Sequence, residues 1–154
     1  MFRKFEYTEN PPPKNIMIWD GQCGFCKFWK TRWENRTQKH LIFKPYQEVA
    51  KRFPDIPLKE FKKASRLIEQ DGKVYSGPDS VYRCFWYAGK PHWHHLYTTS
   101  GIFQKFSDKA YNHIAKNRHF YFYATKFLFG TDPLQLKPYW LLYLLAILLI
   151  LVLL

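Results

Sequence analysis

The chain has 154 residues, with 24 Lys and Arg against 12 Asp and Glu for a formal charge of +12, a length that fits one compact domain better than several. Its 14 Phe, 11 Tyr and 6 Trp exclude a disordered chain for want of apolar surface, and its 3 Cys exclude the disulfide framework of a small secreted domain. The basic residues are dispersed at helical spacing with no nucleic-acid motif beside them, so the charge points to a solvated face and to anionic lipid headgroups, with no nucleic-acid partner expected.

Residues 1–15 are polar and end in Asn10-Pro11-Pro12-Pro13, which cannot donate to a sheet ladder and predicts an extended N-terminal arm. No apolar run follows Met1-Phe2-Arg3-Lys4, so a signal peptide is not expected and the domain belongs in the cytoplasm. Ile16-Met17-Ile18-Trp19 reads as a buried strand closed by Asp20-Gly21. Phe25, Phe28, Trp29 and Trp33 then recur at three- and four-residue steps, predicting an amphipathic helix from Cys26 to about Thr37. Cys23 and Cys26 therefore sit on a strand-to-helix turn.

Leu41-Ile42-Phe43 restarts a strand limited by Pro45, and residues 47–53 allow one or two helical turns before Pro54 and Pro57. Arg66–Gln70 and Lys73–Ser76 flank Asp71-Gly72, the signal for a tight type I′ hairpin. Gly77-Pro78-Asp79-Ser80 opens a helix to about Tyr87 that Gly89 terminates, with Cys84 as a small core residue. His92-Trp93-His94-His95 reads as a loop, and helical material follows from Leu96 to about Phe129. Strand, helix, strand, helix, hairpin and helix define an α/β domain over residues 16–130.

From Tyr139 to Leu154 no residue is charged. Such a segment spans about 24 Å as a helix, and with Leu134 to Pro138 added it is expected to form a transmembrane anchor over 134–154, with Tyr139, Trp140 and Tyr143 at the headgroup level. Lys105, Lys109, Lys116, Arg118, Lys126 and Lys137 all precede it, which places the folded domain on the cytoplasmic side of the membrane, a bacterial inner membrane by expectation.

The chemistry expected of the cysteine pair is thiol exchange. That reaction needs an exposed thiolate and a second thiol close enough to resolve the mixed disulfide. At the start of a helix, unpaired N–H groups and the positive dipole end favour the Cys23 thiolate, so Cys23 is the expected nucleophile and Cys26 the resolving residue. Lys27 and Lys30 are expected to lower the Cys23 pKa further, and Asp20 to raise it. Asp20 either accepts hydrogen bonds from the loop N–H groups or takes the Cys26 proton during resolution. Gly21 and Gly24, with Gln22 and Phe25 beside them, are expected to give the loop backbone angles closed to other residues and to let a partner chain approach. A structural zinc site wants four ligands; Cys84 stands alone, and His92, His94 and His95 read more simply as loop residues, so no metal and no other cofactor are expected.

Asp20-x-x-Cys23-x-x-Cys26 between an apolar strand and an aromatic, basic helix, the later Asp71-Gly72-Lys73-Val74-Tyr75-Ser76-Gly77, and Tyr111-x-x-x-Ala115-x-Asn117-Arg118 occur in that order. Over about residues 15–120 the chain resembles the DCC family of predicted thiol-disulfide oxidoreductases, also called DUF393. The resemblance implies a thioredoxin-like fold and disulfide exchange; the partners expected of such a dithiol are protein thiols or disulfides and a cytoplasmic thioredoxin- or glutathione-type reductant. Thioredoxins proper carry a cis-proline facing the dithiol, and here Lys63-Ala64-Ser65 occupies that place. Within the pattern Tyr111, Asn117 and Arg118 are expected to pack the C-terminal helices under the active-site loop; the alternatives for Arg118 are a pair with Asp20 or contact with an acidic partner. The expected function is a membrane-anchored thiol-disulfide oxidoreductase. The alternative is a non-catalytic accessory subunit of a larger membrane complex, suggested by Phe120-Tyr121-Phe122-Tyr123.

Overall fold

The computed structural model describes residues 1–153. Strand β1 (Ile16–Trp19) leads through a tight turn into α1 (Gly24–Thr37), and a short 3-10 turn over Gln38–His40 returns the chain to β2 (Ile42–Pro45). Helix α2 (Tyr46–Val49), a second 3-10 turn and α3 (Leu58–Lys63) connect to β3 (Arg66–Ile68) and β4 (Val74–Ser76). Five helices follow: α4 (Pro78–Tyr87), α5 (Pro91–Thr99), α6 (Gly101–Lys116), α7 (Arg118–Phe129) and α8 (Tyr139–Leu153).

The strands form one mixed sheet in the order β2-β1-β3-β4, with β1 and β2 parallel and the other pairs antiparallel. This is the α/β arrangement expected of a thioredoxin-like domain. Alternation along β1 divides the core between the two faces. Ile16 and Ile18 pack with Val49, Phe53, Ile56 and Phe61 on the α2–α3 side, while Met17 packs with Phe43, Leu67 and Cys84 on the other. Cys84 is 1 % exposed, and burial pushes its thiol pKa upward, so it is a core residue with no thiolate to offer.

The N-terminal arm is docked. Phe2 is buried against Tyr111 at 5.6 Å, Tyr7 bridges to Lys73, and the Val74 N–H donates to the Glu6 carbonyl at 2.8 Å. Beneath it lies Arg66, 0 % exposed, donating to Ser76 Oγ and to the Arg3 carbonyl, with its guanidinium near the Phe5 ring and Glu60 at 3.6 Å.

The hairpin forms where Asp71-Gly72 places it, but not as a type I′ turn. That turn needs positive φ at both central residues, and here Gly72 has φ +86 while Asp71 is not left-handed. Glu69 N–H donates to the Lys73 carbonyl at 3.0 Å around a three-residue loop, and the Asp71 carboxylate accepts from Lys73 N–H at 2.9 Å. The carboxylate thus supports a wider turn. The His92–His95 stretch is helical within α5, not a loop, because Pro91 at its first turn supplies a preset φ for helix entry.

Expectation and structure also part at the C-terminus. Helix α8 covers Tyr139–Leu153 only, since Leu134–Pro138 is not helical and Pro138 bars extension backwards; Leu154 lies outside the described residues. Its 15 residues rise about 22 Å, and among the described residues no helix is long and apolar enough to cross a membrane. The helix docks on the end of α7 through a Phe127–Tyr143 stack at 4.6 Å, and it exposes leucines on its other sides, Leu145 by 62 % and Leu151 by 66 %.

Candidate active site

The site is built where β1 ends. Asp20 follows the last strand residue, its carbonyl accepts from Cys23 N–H at 3.1 Å, and this turn delivers Cys23 as the N-cap of α1. An N-cap side chain ordinarily offers an oxygen to the unpaired N–H groups of the first turn. Here the sulfur of Cys23 takes that place, accepting from the Cys26 N–H at 3.3 Å. Cys26 lies one turn in, and both thiols are free.

The two thiols are driven apart in acidity. Cys23 is lowered from 9.0 to about 6, first by the hydrogen bond from the Cys26 thiol, against burial, with the Cys26 N–H and the Arg118 guanidinium adding to the effect and Asp20 opposing it. Cys26 is pushed upward, first by that same hydrogen bond and then by burial. One sulfur is thus a thiolate near neutral pH, and the other holds its proton against it.

Asp20 is tied into the loop on both oxygens. Its Oδ1 accepts from Gln22 N–H at 3.2 Å and from Gln47 Nε2 at 2.9 Å, while Gln47 Oε1 accepts from Gly21 N–H at 3.1 Å. Its Oδ2 accepts from Arg118 Nη1 at 3.2 Å. Arg118 stands at the first position of α7 and also donates to the carbonyls of Lys62 and Lys63. Sequence reasoning offered the Arg118–Asp20 pair as the lesser alternative, and this pair is the one the fold forms. Gln47 has no signal in the motif; its place in the first turn of α2, directly after Pro45 ends the strand paired with β1, brings it to the loop.

Other expected members take different parts. Lys30 is engaged by Glu34 and lies over the Trp19 ring, and the leading positive charge acting on Cys23 is that of Arg118, across the fold. Gly21 and Gly24 have ordinary backbone angles, so close approach is their reason. A Cβ at Gly21 would lie 2.7 Å from Pro45 Cβ, and one at Gly24 would lie 3.1 Å from Phe122 Cε1. Phe25 packs edge-on against Trp29 at 6.3 Å. Tyr111 Oη accepts from Ser65 N–H at 3.0 Å and meets Ser65 Oγ at 3.0 Å, so a tyrosine engages the backbone immediately before β3. Asn117 is exposed at the α6–α7 junction and donates to the His113 carbonyl at 2.8 Å, away from the cysteines. His94 Nε2 lies 3.2 Å from Asp79 Oδ1, and among the described residues no group of three or more His, Cys, Asp and Glu side chains is arranged to hold a metal.

A dithiol at the first strand-to-helix turn of a mixed sheet, with one acidic and one protonated thiol, defines a redox-active thiol protein. The profile of the DCC1-like thiol-disulfide oxidoreductase family matches residues 17–124, and the chain belongs to that family. Comparison with curated proteins and with solved structures yields no match.

Proposed function

We propose that the chain exchanges disulfides with protein thiols, with Cys23 as the attacking sulfur, Cys26 as the resolving one, and the reaction held at the cytoplasmic face of a membrane. The observation that carries this reading is the Cys26-to-Cys23 hydrogen bonding at the α1 N-terminus, which supplies a nucleophile and its resolving partner in one turn. Attack by Cys23 on a partner disulfide forms a mixed disulfide and releases one partner thiolate. Cys26 then gives up its proton, attacks Cys23 Sγ and frees the second. Asp20 shapes the loop through its hydrogen bonds, and Arg118 adds positive charge beside the thiolate.

Membrane association is supported by α8, which presents leucine and isoleucine on all sides and has no polar face for water. Phe120, Tyr123 and Phe127 extend an apolar strip along the exposed side of α7. At 15 residues the helix suits insertion to part of the bilayer depth. The same strip would suit a protein neighbour in a membrane complex.

Trapping tests the proposal. Cys26→Ala protein should accumulate a mixed disulfide on Cys23 with its cellular partners, and Cys23→Ser should not. If Cys23→Ser retains wild-type exchange with glutathione disulfide, the proposal fails.

A further inference from the structure

Helix α6 turns one whole side to solvent. With about 3.6 residues per turn, Ile102, Lys105, Phe106, Lys109, His113 and Lys116 fall within an arc of about 100°, and all six are exposed. The inner side carries the buried Ser107 and Asp108, and Tyr111, whose hydroxyl meets Ser65. The outer arc combines two kinds of group that a merely solvated helix does not need. Ile102 and Phe106, one turn apart, are 86 % and 70 % exposed. Beside them, and among the described residues, none of Lys105, Lys109 and Lys116 takes part in an ion pair.

The charge around this arc is of one sign. From Pro91 to Gly130 the sequence holds a single acid, Asp108, and that charge is spent inward: Oδ2 lies 2.6 Å from Lys4 Nζ, and Oδ1 accepts from the Tyr97 hydroxyl at 2.7 Å. Over this neutralised carboxylate, Lys105, Lys109, Asn112 and Lys116 rim an open concavity of about 270 Å³, which they share with the exposed Met1 side chain.

We propose that the outer side of α6 is a docking surface for the headgroup layer of an anionic bilayer, with lipid phosphates among the three lysines and with Ile102 and Phe106 inserted beside them. The occupant has to be anionic, to complement lysines that the fold leaves unpaired, and it has to offer apolar surface to an isoleucine and a phenylalanine. A nucleic acid meets the first condition but gives Ile102 nothing to enter. An anionic bilayer meets both, and it is favoured over an acidic protein groove because the same half of the chain carries α8, apolar on every side.

This surface deepens the membrane reading proposed above and rests on it, yet the two contacts differ in chemistry. Helix α8 has no charged residue, so its partition is indifferent to lipid charge, whereas that of α6 depends on it. Tyr111, Ile114 and Ala115, on the inner side of α6, line a cavity of about 380 Å³ that Cys26 also borders. The docking surface and the redox site therefore share one helix, which holds the dithiol close to the headgroup layer and suits partner disulfides in segments next to the membrane.

Full-length protein titrated with phosphatidylcholine vesicles, with and without phosphatidylserine, tests the surface, the bound fraction being measured by sedimentation. Wild-type protein should bind the phosphatidylserine vesicles more tightly, and added salt should reduce that preference. Lys105→Gln, Lys109→Gln and Lys116→Gln together should cut the preference about a hundredfold and leave binding to phosphatidylcholine unchanged. Lys51→Gln, Lys59→Gln and Lys62→Gln, an equal change of net charge on α3 and the 3-10 turn before it, should leave most of the preference in place. Ile102→Asn with Phe106→Asn should weaken binding to the phosphatidylserine vesicles about tenfold. All of these positions are exposed, and circular dichroism checks the fold of each variant. Absence of a phosphatidylserine preference in wild-type protein, or equal losses from the two lysine sets, overturns the proposal, since any attraction then follows net charge alone. Unchanged binding in the Ile102 and Phe106 variant also overturns it and leaves an acidic protein as the occupant. Failure of wild-type protein to bind phosphatidylcholine counts against α8 alone, and the phosphatidylserine preference still decides α6.

Discussion

Arg118 Nη1 lies 3.2 Å from Asp20 Oδ2, joining the start of α7 to the end of β1 across 98 residues of sequence. The pair sets opposing charges beside Cys23, and the two partners act on its acidity with opposite sign. Arg118→Met should raise the Cys23 pKa toward the ordinary thiol value and slow exchange at pH 7. Asp20→Asn keeps an acceptor for the loop but removes the negative charge, so it should lower the Cys23 pKa below about 6. Thiolate absorbance against pH checks both. Shifts of the same sign in the two variants would exclude the arrangement.

Cys26 contributes more to that acidity than Arg118 does, because its thiol hydrogen-bonds to the Cys23 sulfur while Arg118 acts through its charge alone. Cys26→Ala should therefore raise the Cys23 pKa further than Arg118→Met does, though the variant keeps the backbone N–H bond to Cys23 Sγ. The linkage has a definite sign. Cys23 is an acid whose folded pKa is depressed, so its contribution to stability is fully present above the ordinary value of 9.0. It is lost as pH falls through about 6. In wild-type protein, urea midpoints compared across that window should rise with pH by more than they do in Cys23→Ser.

The loop glycines respond to crowding. Gly21→Ala should destabilise by about 1–3 kcal/mol, the cost of overpacking, because the new methyl meets Pro45 Cβ at 2.7 Å. Gly24→Ala should cost less, because its contact is the Phe122 ring at 3.1 Å, which can shift. Urea denaturation of the two variants gives the order, and a larger loss at Gly24 would contradict it.

Much of this site was legible locally. The strand before Asp20, the dithiol turn and the helix after it follow from a short apolar run, a turn dipeptide and three- and four-residue spacing, all within one stretch of chain. The Arg118–Asp20 pair, the Gln47 contacts and the Tyr111–Ser65 bond join segments far apart, and no local period encodes them. Helix α3 has no clear local signal, because Pro54 and Pro57 read as breakers, although Pro57 stands at the N-cap position of the helix that starts at Leu58. The hairpin turn was misread because Asp71-Gly72 suits several turns, and the choice is made by the Asp71 carboxylate and by Thr8 N–H, which donates to the Gly72 carbonyl at 2.9 Å. The apolar run of α8 marked itself clearly, but its helical length depended on where Pro138 let the helix begin.

Arg66 anchors the N-terminal arm under the sheet. Arg66→Met removes a buried cation whose partner Glu60 remains 4 % exposed, and breaking such a pair costs about 3–5 kcal/mol. Glu60 keeps Lys63 and the Arg3 N–H, so the loss should fall at the lower end of that range. Chemical denaturation measures it; a loss under about 1 kcal/mol would place the pair with surface contacts.

Flotation with vesicles containing anionic lipid tests the membrane reading. Full-length protein should float with the lipid in low and high salt, held by the apolar surface of α8, whereas protein lacking residues 139–154 should float weakly and only at low salt, through its basic residues. Equal flotation of the two would contradict a role for α8.

The central claim is that Cys23 is the acidic, attacking member of the pair. Alkylation of the reduced protein with iodoacetamide across pH, followed by peptide mapping, measures it directly. Modification should fall on Cys23 with a midpoint of about 6, leaving Cys26 and Cys84 unmodified over the same interval. A midpoint near that of an ordinary thiol, or alkylation of Cys26 ahead of Cys23, would contradict it.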